Sequence, residues 1–267
     1  MTPEQDLPAL VAGLRELGVS PGQDLLVHSS LRQVGRVHGG AGIVLRALRE
    51  VTGASATIVV PSYTEGNSRT SRSFQAATAG MSAADLAVYI EAMPGFDRLT
   101  TPSQRMGKFA EHVRTTPGAV RSGHPQSSFA AIGQHAEECV SGHLLACHLG
   151  ENSPLGWLYR TGAAVLLLGV GYSACSAFHL AEYRLPGGRR TRSYRCFVME
   201  KGVRRERIFL DVDLIDSDFE AIGRQIEQEP FVRRGRVGAA DCRLLPMRSA
   251  VDFALSWPAF RKRRAVA

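Results

Sequence analysis

The residues best suited to chemistry lie in the stretch Gly169-Val170-Gly171-Tyr172-Ser173-Ala174-Cys175-Ser176-Ala177-Phe178-His179-Leu180-Ala181-Glu182, where an apolar run passes through a glycine turn and then presents a histidine and a glutamate three positions apart. On a helix, positions i and i+3 share a face. Glu182 can then orient the imidazole of His179 and stabilise its protonated form, an arrangement suited to a general base working near neutral pH. An isolated HxxE pair is more often a half-buried histidine with a surface partner, so the spacing alone does not decide.

Two further stretches carry polar groups in useful density. Arg121-Ser122-Gly123-His124-Pro125-Gln126-Ser127-Ser128-Phe129 places an arginine, a histidine and hydroxyls before a run of small residues, a composition fit for an oxygen-rich ligand or for a turn that caps the next element. His28-Ser29-Ser30-Leu31-Arg32-Gln33-Val34-Gly35-Arg36, followed by Gly39, Gly40 and Gly42, offers backbone amides that could cradle a pyrophosphate. It has neither the GK[ST] ending of a Walker loop nor the G-x-G-x-x-G spacing of a dinucleotide site.

These segments need a scaffold, and the apolar pattern supplies one. Leu7, Leu10, Val11 and Leu14 recur at helical spacing, which predicts an amphipathic helix over residues 4–17 closed by Gly18. Short apolar runs predict strands at residues 24–30, at TIVVP (57–61) and at AVLLLGV (164–170). The first leads through the glycine-rich loop into a helix at IVLRALREVTG, and further strands are expected at RCFVME and RIFLDVD. Strands alternating with helices predict an α/β fold with a mixed central sheet covered by helices on both faces, the last two strands forming a hairpin that makes the sheet mixed.

With 267 residues and 44% hydrophobic content, one large domain spanning 1–267 is expected. No apolar run is long enough to cross a bilayer and the start MTPEQDLPAL is unlike a secretory signal, so a cytoplasmic protein without membrane association is expected. Five cysteines at irregular spacing suit neither a disulfide framework nor a zinc site, and no metal requirement is expected. The formal charge of +7 invites a nucleic-acid reading. Its excess lies in GGRRTRSYR, KGVRRERI, VRRGRV and FRKRRAVA, without interleaved aromatics, which favours a solvated surface and no nucleic-acid partner.

Taken in order, HSSLRQVG, TIVVPSYT, MPGFD, TPSQRMGKFAE, TTPGAVRSGHPQSSFAAIG, GENSPLGWLY, LLLGVGY and AFHLAEYRLP make the chain resemble the aminoglycoside 3-N-acetyltransferase family along nearly its whole length. The resemblance implies transfer of acetyl from acetyl-CoA, as cosubstrate, to an amine, with His179 as base and Glu182 as its acidic partner. It also implies a CoA groove at Ser29, Ser30, Leu31, Val34 and Gly35, completed by His124, Ser127, Ser128 and Phe129, with a direct chemical role for His124 left open. Candidate carboxylates for the acceptor are Glu65, Asp97 and the group Asp211, Asp213, Asp216 and Asp218, the last also readable as a solvated loop.

The loop SYTEGNSRTSRSF carries Arg69 and Arg72 beside Glu65, so the acceptor is either an aminoglycoside or another amine, as in specialised metabolism. Monomer and homodimer remain open. A cysteine hydrolase using Cys175 with His179 is the rival chemistry, although YSACSA has no signature of a catalytic thiol.

Overall fold

The computed structural model describes residues 5–186 and 189–258. The basic run at 260–267 and residue 4, the first of the expected amino-terminal helix, lie outside these residues.

Nine strands are found among the described residues: β1 (Leu25–Ser29), β2 (Thr57–Pro61), β3 (Val120–Arg121), β4 (Phe129–Gly133), β5 (Ala164–Leu168), β6 (Thr191–Glu200), β7 (Val203–Val212), β8 (Arg233–Val237) and β9 (Ala240–Pro246). Seven form one sheet in the order β3-β4-β2-β1-β5-β9-β8. β1 is parallel to both β2 and β5, whereas β4, β3, β9 and β8 extend the sheet antiparallel on either side. The short continuous apolar runs are explained by this placement, since a strand covered on both faces needs apolar residues at successive positions.

Alternation along β1 and β5 divides the core. Leu25, Val27, Leu166 and Leu168 face one layer, built on the Leu7–Leu17, Gly40–Thr52 and Gly107–Thr115 helices. Leu26, Val165 and Leu167 face the other, which includes the Pro154–Thr161, Ala177–Tyr183, Phe219–Ile226 and Met247–Ser256 helices. The first helix starts at Leu7 because the Asp6 carboxylate caps it, accepting from the Ala9 amide at 3.0 Å, and it ends at left-handed Gly18.

β6 and β7 depart from expectation. They pair with each other over ten residues each but stand apart as a two-stranded ribbon, so the mixed character of the central sheet comes from β3, β4, β8 and β9. The ribbon is fastened by bridges from Cys196 to Ser68 and from Val198 to Phe96. Most of its basic residues are half-buried and paired with carboxylates, as in Arg207–Glu200 and Arg204–Glu91, the latter at 3.0 Å. Among the described residues no helix is long and apolar enough to cross a membrane.

Candidate active site

The three parallel strands end side by side at Ser29, Pro61 and Leu168, and the loops leaving them converge on one edge of the sheet. That edge is where open α/β sheets place their ligands. After β5 the chain turns at Gly169, whose φ of +68° and whose neighbours leave no room for a side chain: a Cβ there would lie 2.7 Å from Cβ of Gln33. The turn leads to the Ala177–Tyr183 helix and so to His179.

The expected helical face is formed. His179 Nδ1 donates to Glu182 Oε2 at 2.7 Å, and the other carboxylate oxygen accepts from the Ile215 amide at 2.9 Å. The Glu182 side chain is 1% exposed and that of His179 13%, so the carboxylate is sealed beneath an imidazole that still reaches the cleft. Because a carboxylate can only accept, Nδ1 carries the proton and the lone pair sits on Nε2. Phe219 packs against the ring at 4.6 Å in an edge-to-face arrangement, fixing its plane.

Three cavities adjoin here. One, of about 330 Å³, is lined by Val27, His28, Pro61, Tyr63, Ser176 and His179 among others. A second, of about 640 Å³, is bordered by Ser29, Ser30, Leu31, Arg32, Gly107 and Lys108. A third, of about 820 Å³, includes Glu65, Arg72, Gln126, Ser127, His148, Arg192, Tyr194 and Asp216. Arg105 and Met106 border all three, and His179 stands between the first and the third. The sizes fall within the range of small-molecule sites.

The sequence-derived candidates divide on this geometry. Ser29, Ser30, Leu31, Ser127, Glu65, His179 and Asp216 border the joined cavities. Val34 is fully buried in the core and Gly35 turns the chain beyond it with a φ of +99°. Phe129 is likewise buried, and Ser128 is held by Arg121 Nε at 3.0 Å while donating to the Ser62 carbonyl at 2.7 Å. Asp97 accepts from the Leu99 and Thr100 amides and the Thr100 hydroxyl in a local turn, and those bonds hold its carboxyl below the ordinary range.

His124 is fully buried with both nitrogens occupied. Nδ1 accepts from the Gln126 and Ser127 amides at 3.1 and 3.0 Å, and Nε2 donates to the Leu145 carbonyl at 3.1 Å. It shapes the turn that brings Gln126 and Ser127 to the cleft. Cys175 is also fully buried, and burial pushes its thiol up to about 12, which removes the thiolate a cysteine nucleophile requires.

A second histidine–carboxylate pair was not legible beforehand. His148 Nδ1 meets Asp211 Oδ2 at 2.6 Å, and the same oxygen accepts from the His148 amide and the Tyr183 hydroxyl, each at 2.7 Å. His148 borders the third cavity, where its Nε2 meets the Gln126 side-chain amide oxygen at 3.1 Å. Asp211, within a group readable as a solvated loop, is in fact buried at 5% exposure. The pair joins residues 63 apart, and neither CHLGENSP nor IFLDVD carries a local signal of it.

His28, His124, His143 and His148 are all held below the ordinary histidine range, first by burial, with His28 and His143 at about 4. An unfolded chain protonates His28 and His143 near pH 6.5, whereas the folded one resists until near pH 4. Stability is therefore fully present above pH 6.5 and lost as pH falls toward 4. The melting temperature is expected to drop steadily across that window, and a flat profile would contradict a neutral buried cluster.

The profile of the family described as aminoglycoside 3-N-acetyltransferase matches residues 26–259. The SPbeta prophage-derived aminoglycoside N(3')-acetyltransferase-like protein YokD of Bacillus subtilis (strain 168) is 36% identical, covering 93% of this chain and 90% of its own. Its crystal structure superposes with a TM-score of 0.90 at 33% identity, over 100% of this chain and 97% of that one. Aminoglycoside N(3)-acetyltransferase VII of Streptomyces paromomycinus is 34% identical over 93% of this chain and 89% of its own. A structure described as AAC-IIIb in binary complex with CoASH matches with a TM-score of 0.84 and 27% identity, over 99% of both chains. With a family match across most of its length and relatives aligned nearly end to end, the chain belongs to the aminoglycoside 3-N-acetyltransferase family.

Proposed function

We propose that the protein is an acetyl-CoA-dependent N-acetyltransferase in which an amine attacks the thioester directly, with His179 as general base. The observation that carries this reading is the 2.7 Å bond from His179 Nδ1 to the buried Glu182, at the junction of two cavities. An ammonium is not a nucleophile, and Nε2 is the atom left free to take its proton.

CoA would enter over Ser29, Ser30 and Leu31, where Arg32, Arg105 and Lys108 supply positive charge for its phosphates. Its thioester arm would run into the cavity between Val27, Pro61, Ala110 and Val170, whose apolar walls suit a pantetheine chain. Ser127 would border the acceptor, and the buried Val34, Ser128 and Phe129 would support the groove from beneath.

The relatives named for aminoglycosides favour an aminoglycoside acceptor, acetylated at its 3-amino group, with Glu65 and Asp216 receiving its ammonium groups. One observation favours a second reading. Glu65 lies 3.9 Å from Arg105, and Asp216 lies 3.1 Å from Arg72, so each carboxylate in the cleft already faces an arginine. A polycation would have to displace those partners, whereas an amine of lower charge would not.

Release of free thiol from acetyl-CoA, measured against 2-deoxystreptamine aminoglycosides and simpler amines, separates the two. Turnover with aminoglycosides is expected on the first reading. Turnover confined to amines of low charge would establish the second, and no thiol release with any amine would refute both.

A further inference from the structure

The apolar cavity beside His179 holds a polar group that neither folding nor proton transfer explains. Tyr63 lies two residues past the end of β2; its ring packs edge-on against Phe129 at 5.5 Å, and it lines both cavities that meet at His179, with its hydroxyl near Ser176. That hydroxyl is buried and makes no hydrogen bond of proper geometry to any protein atom. A buried hydroxyl left unpaired costs stability, and one bordering a substrate cavity is explained by a partner that arrives with the substrate.

The chemistry specifies what that partner must be. Burial raises the phenol well above its ordinary range, so the group stays protonated and can donate. Next to it, His28 Nε2 and Ser176 Oγ are 3.2 Å apart, and burial lowers His28 to about 4, so this pair is neutral and occupied with itself. Ser176, whose nearness to Tyr63 partly offsets the effect of burial on the phenol, is already engaged with His28, and the Tyr63 hydroxyl has no well-formed hydrogen bond of its own.

Resting on the acyl-transfer reading above, we infer that Tyr63 donates the hydrogen bond that holds the negative charge developing on the thioester carbonyl oxygen. The amine nitrogen forms its bond to the carbonyl carbon, the carbonyl π pair moves onto oxygen, and Tyr63 O–H donates to that oxygen. The nitrogen's proton passes to His179 Nε2. When the C=O bond re-forms, the C–S bond breaks, its electron pair leaves on sulfur, and the imidazolium returns its proton to give free CoA thiol and the N-acetylated amine. Tyr63 and His179 thus act on different atoms of the same transition state, one on oxygen and one on nitrogen.

Tyr63→Phe tests this with little risk to the fold, because it keeps the ring and removes only the hydroxyl. The expected result is a kcat lower by about a hundredfold, the usual loss for one such donor, with the KM for acetyl-CoA nearly unchanged. The melting temperature is expected to stay level or rise, since an unpaired buried group has been removed. Three results would overturn the inference: wild-type kcat in the variant, a raised KM at constant kcat, or a lowered melting temperature that accounts for the lost activity. Wild-type protein that releases no thiol with any amine would refute the acyl-transfer reading itself, and this inference with it.

Discussion

His179→Ala is expected to lower kcat by about a hundredfold or more while CoA binding stays close to wild type. The imidazole has no share in the groove at Ser29–Leu31, Arg32 and Lys108, so its loss leaves cofactor contacts in place. What disappears is the acceptor for the amine proton, a role exercised only as the amine attacks. Glu182→Gln is a graded companion: it preserves shape and a hydrogen-bonding oxygen beside Nδ1 but removes the charge that stabilises the imidazolium, so its kcat should fall between wild type and His179→Ala. Stopped-assay thiol release and CoA titration check both. Near-wild-type turnover of His179→Ala would place the base elsewhere, with His148, on the wall of the acceptor cavity, the next imidazole to examine.

The largest stability loss is expected from Asp211→Ala. One carboxylate oxygen accepts from the His148 ring, the His148 amide and the Tyr183 hydroxyl, and removing it leaves three buried donors without their acceptor. The side chains of His148 and Asp211 are 5% and 3% exposed, so water cannot stand in. Breaking such a buried pair costs about 3–5 kcal/mol, which for a chain of this size lowers the melting temperature by roughly 10 °C. Asp211→Asn should lose less, since it keeps one oxygen. A melting temperature within about 2 °C of wild type for Asp211→Ala would show that the network contributes little.

The acid dependence of this contribution has a definite sign. The bonds from His148 and Tyr183 hold the Asp211 carboxyl below its ordinary 3.8, although burial opposes them. Its contribution is present above that value and is lost as pH falls through the folded-state value. Acid unfolding of the wild type therefore has two causes, protonation of the buried histidines below pH 6.5 and, at lower pH, protonation of Asp211.

What the sequence revealed was what local pattern encodes. The runs at residues 25–29, 57–61 and 164–168 are short and continuously apolar because their strands lie in the middle of a sheet covered on both faces, and that pattern is visible without any partner strand. His179 and Glu182 were equally visible, being three positions apart on one helix. The placement of β6 and β7 was not, because strand pattern says that two segments pair but not which sheet they join. Asp211 read as a solvated loop residue for the same reason: its burial is set by His148 and Tyr183, 63 and 28 positions away. Tyr63 stands in an unremarkable SYT sequence, and only the cavity around it distinguishes its hydroxyl.

The separateness of the β6–β7 ribbon bears on how such a protein can diversify. The cavity beside His179 draws on the ends of the central strands, where any shift would disturb the core. The third cavity is bordered also by Arg192 and Tyr194 on the ribbon, by Glu65 on the loop it fastens and by Arg72 at the start of the helix that follows, none of which belongs to the seven-stranded sheet. On the proposed reading, mutation can therefore redraw the acceptor wall under selection while the reaction is left intact. Lineages that keep the proposed base are then free to part company over the amines they admit, and the first differences between them belong on the ribbon.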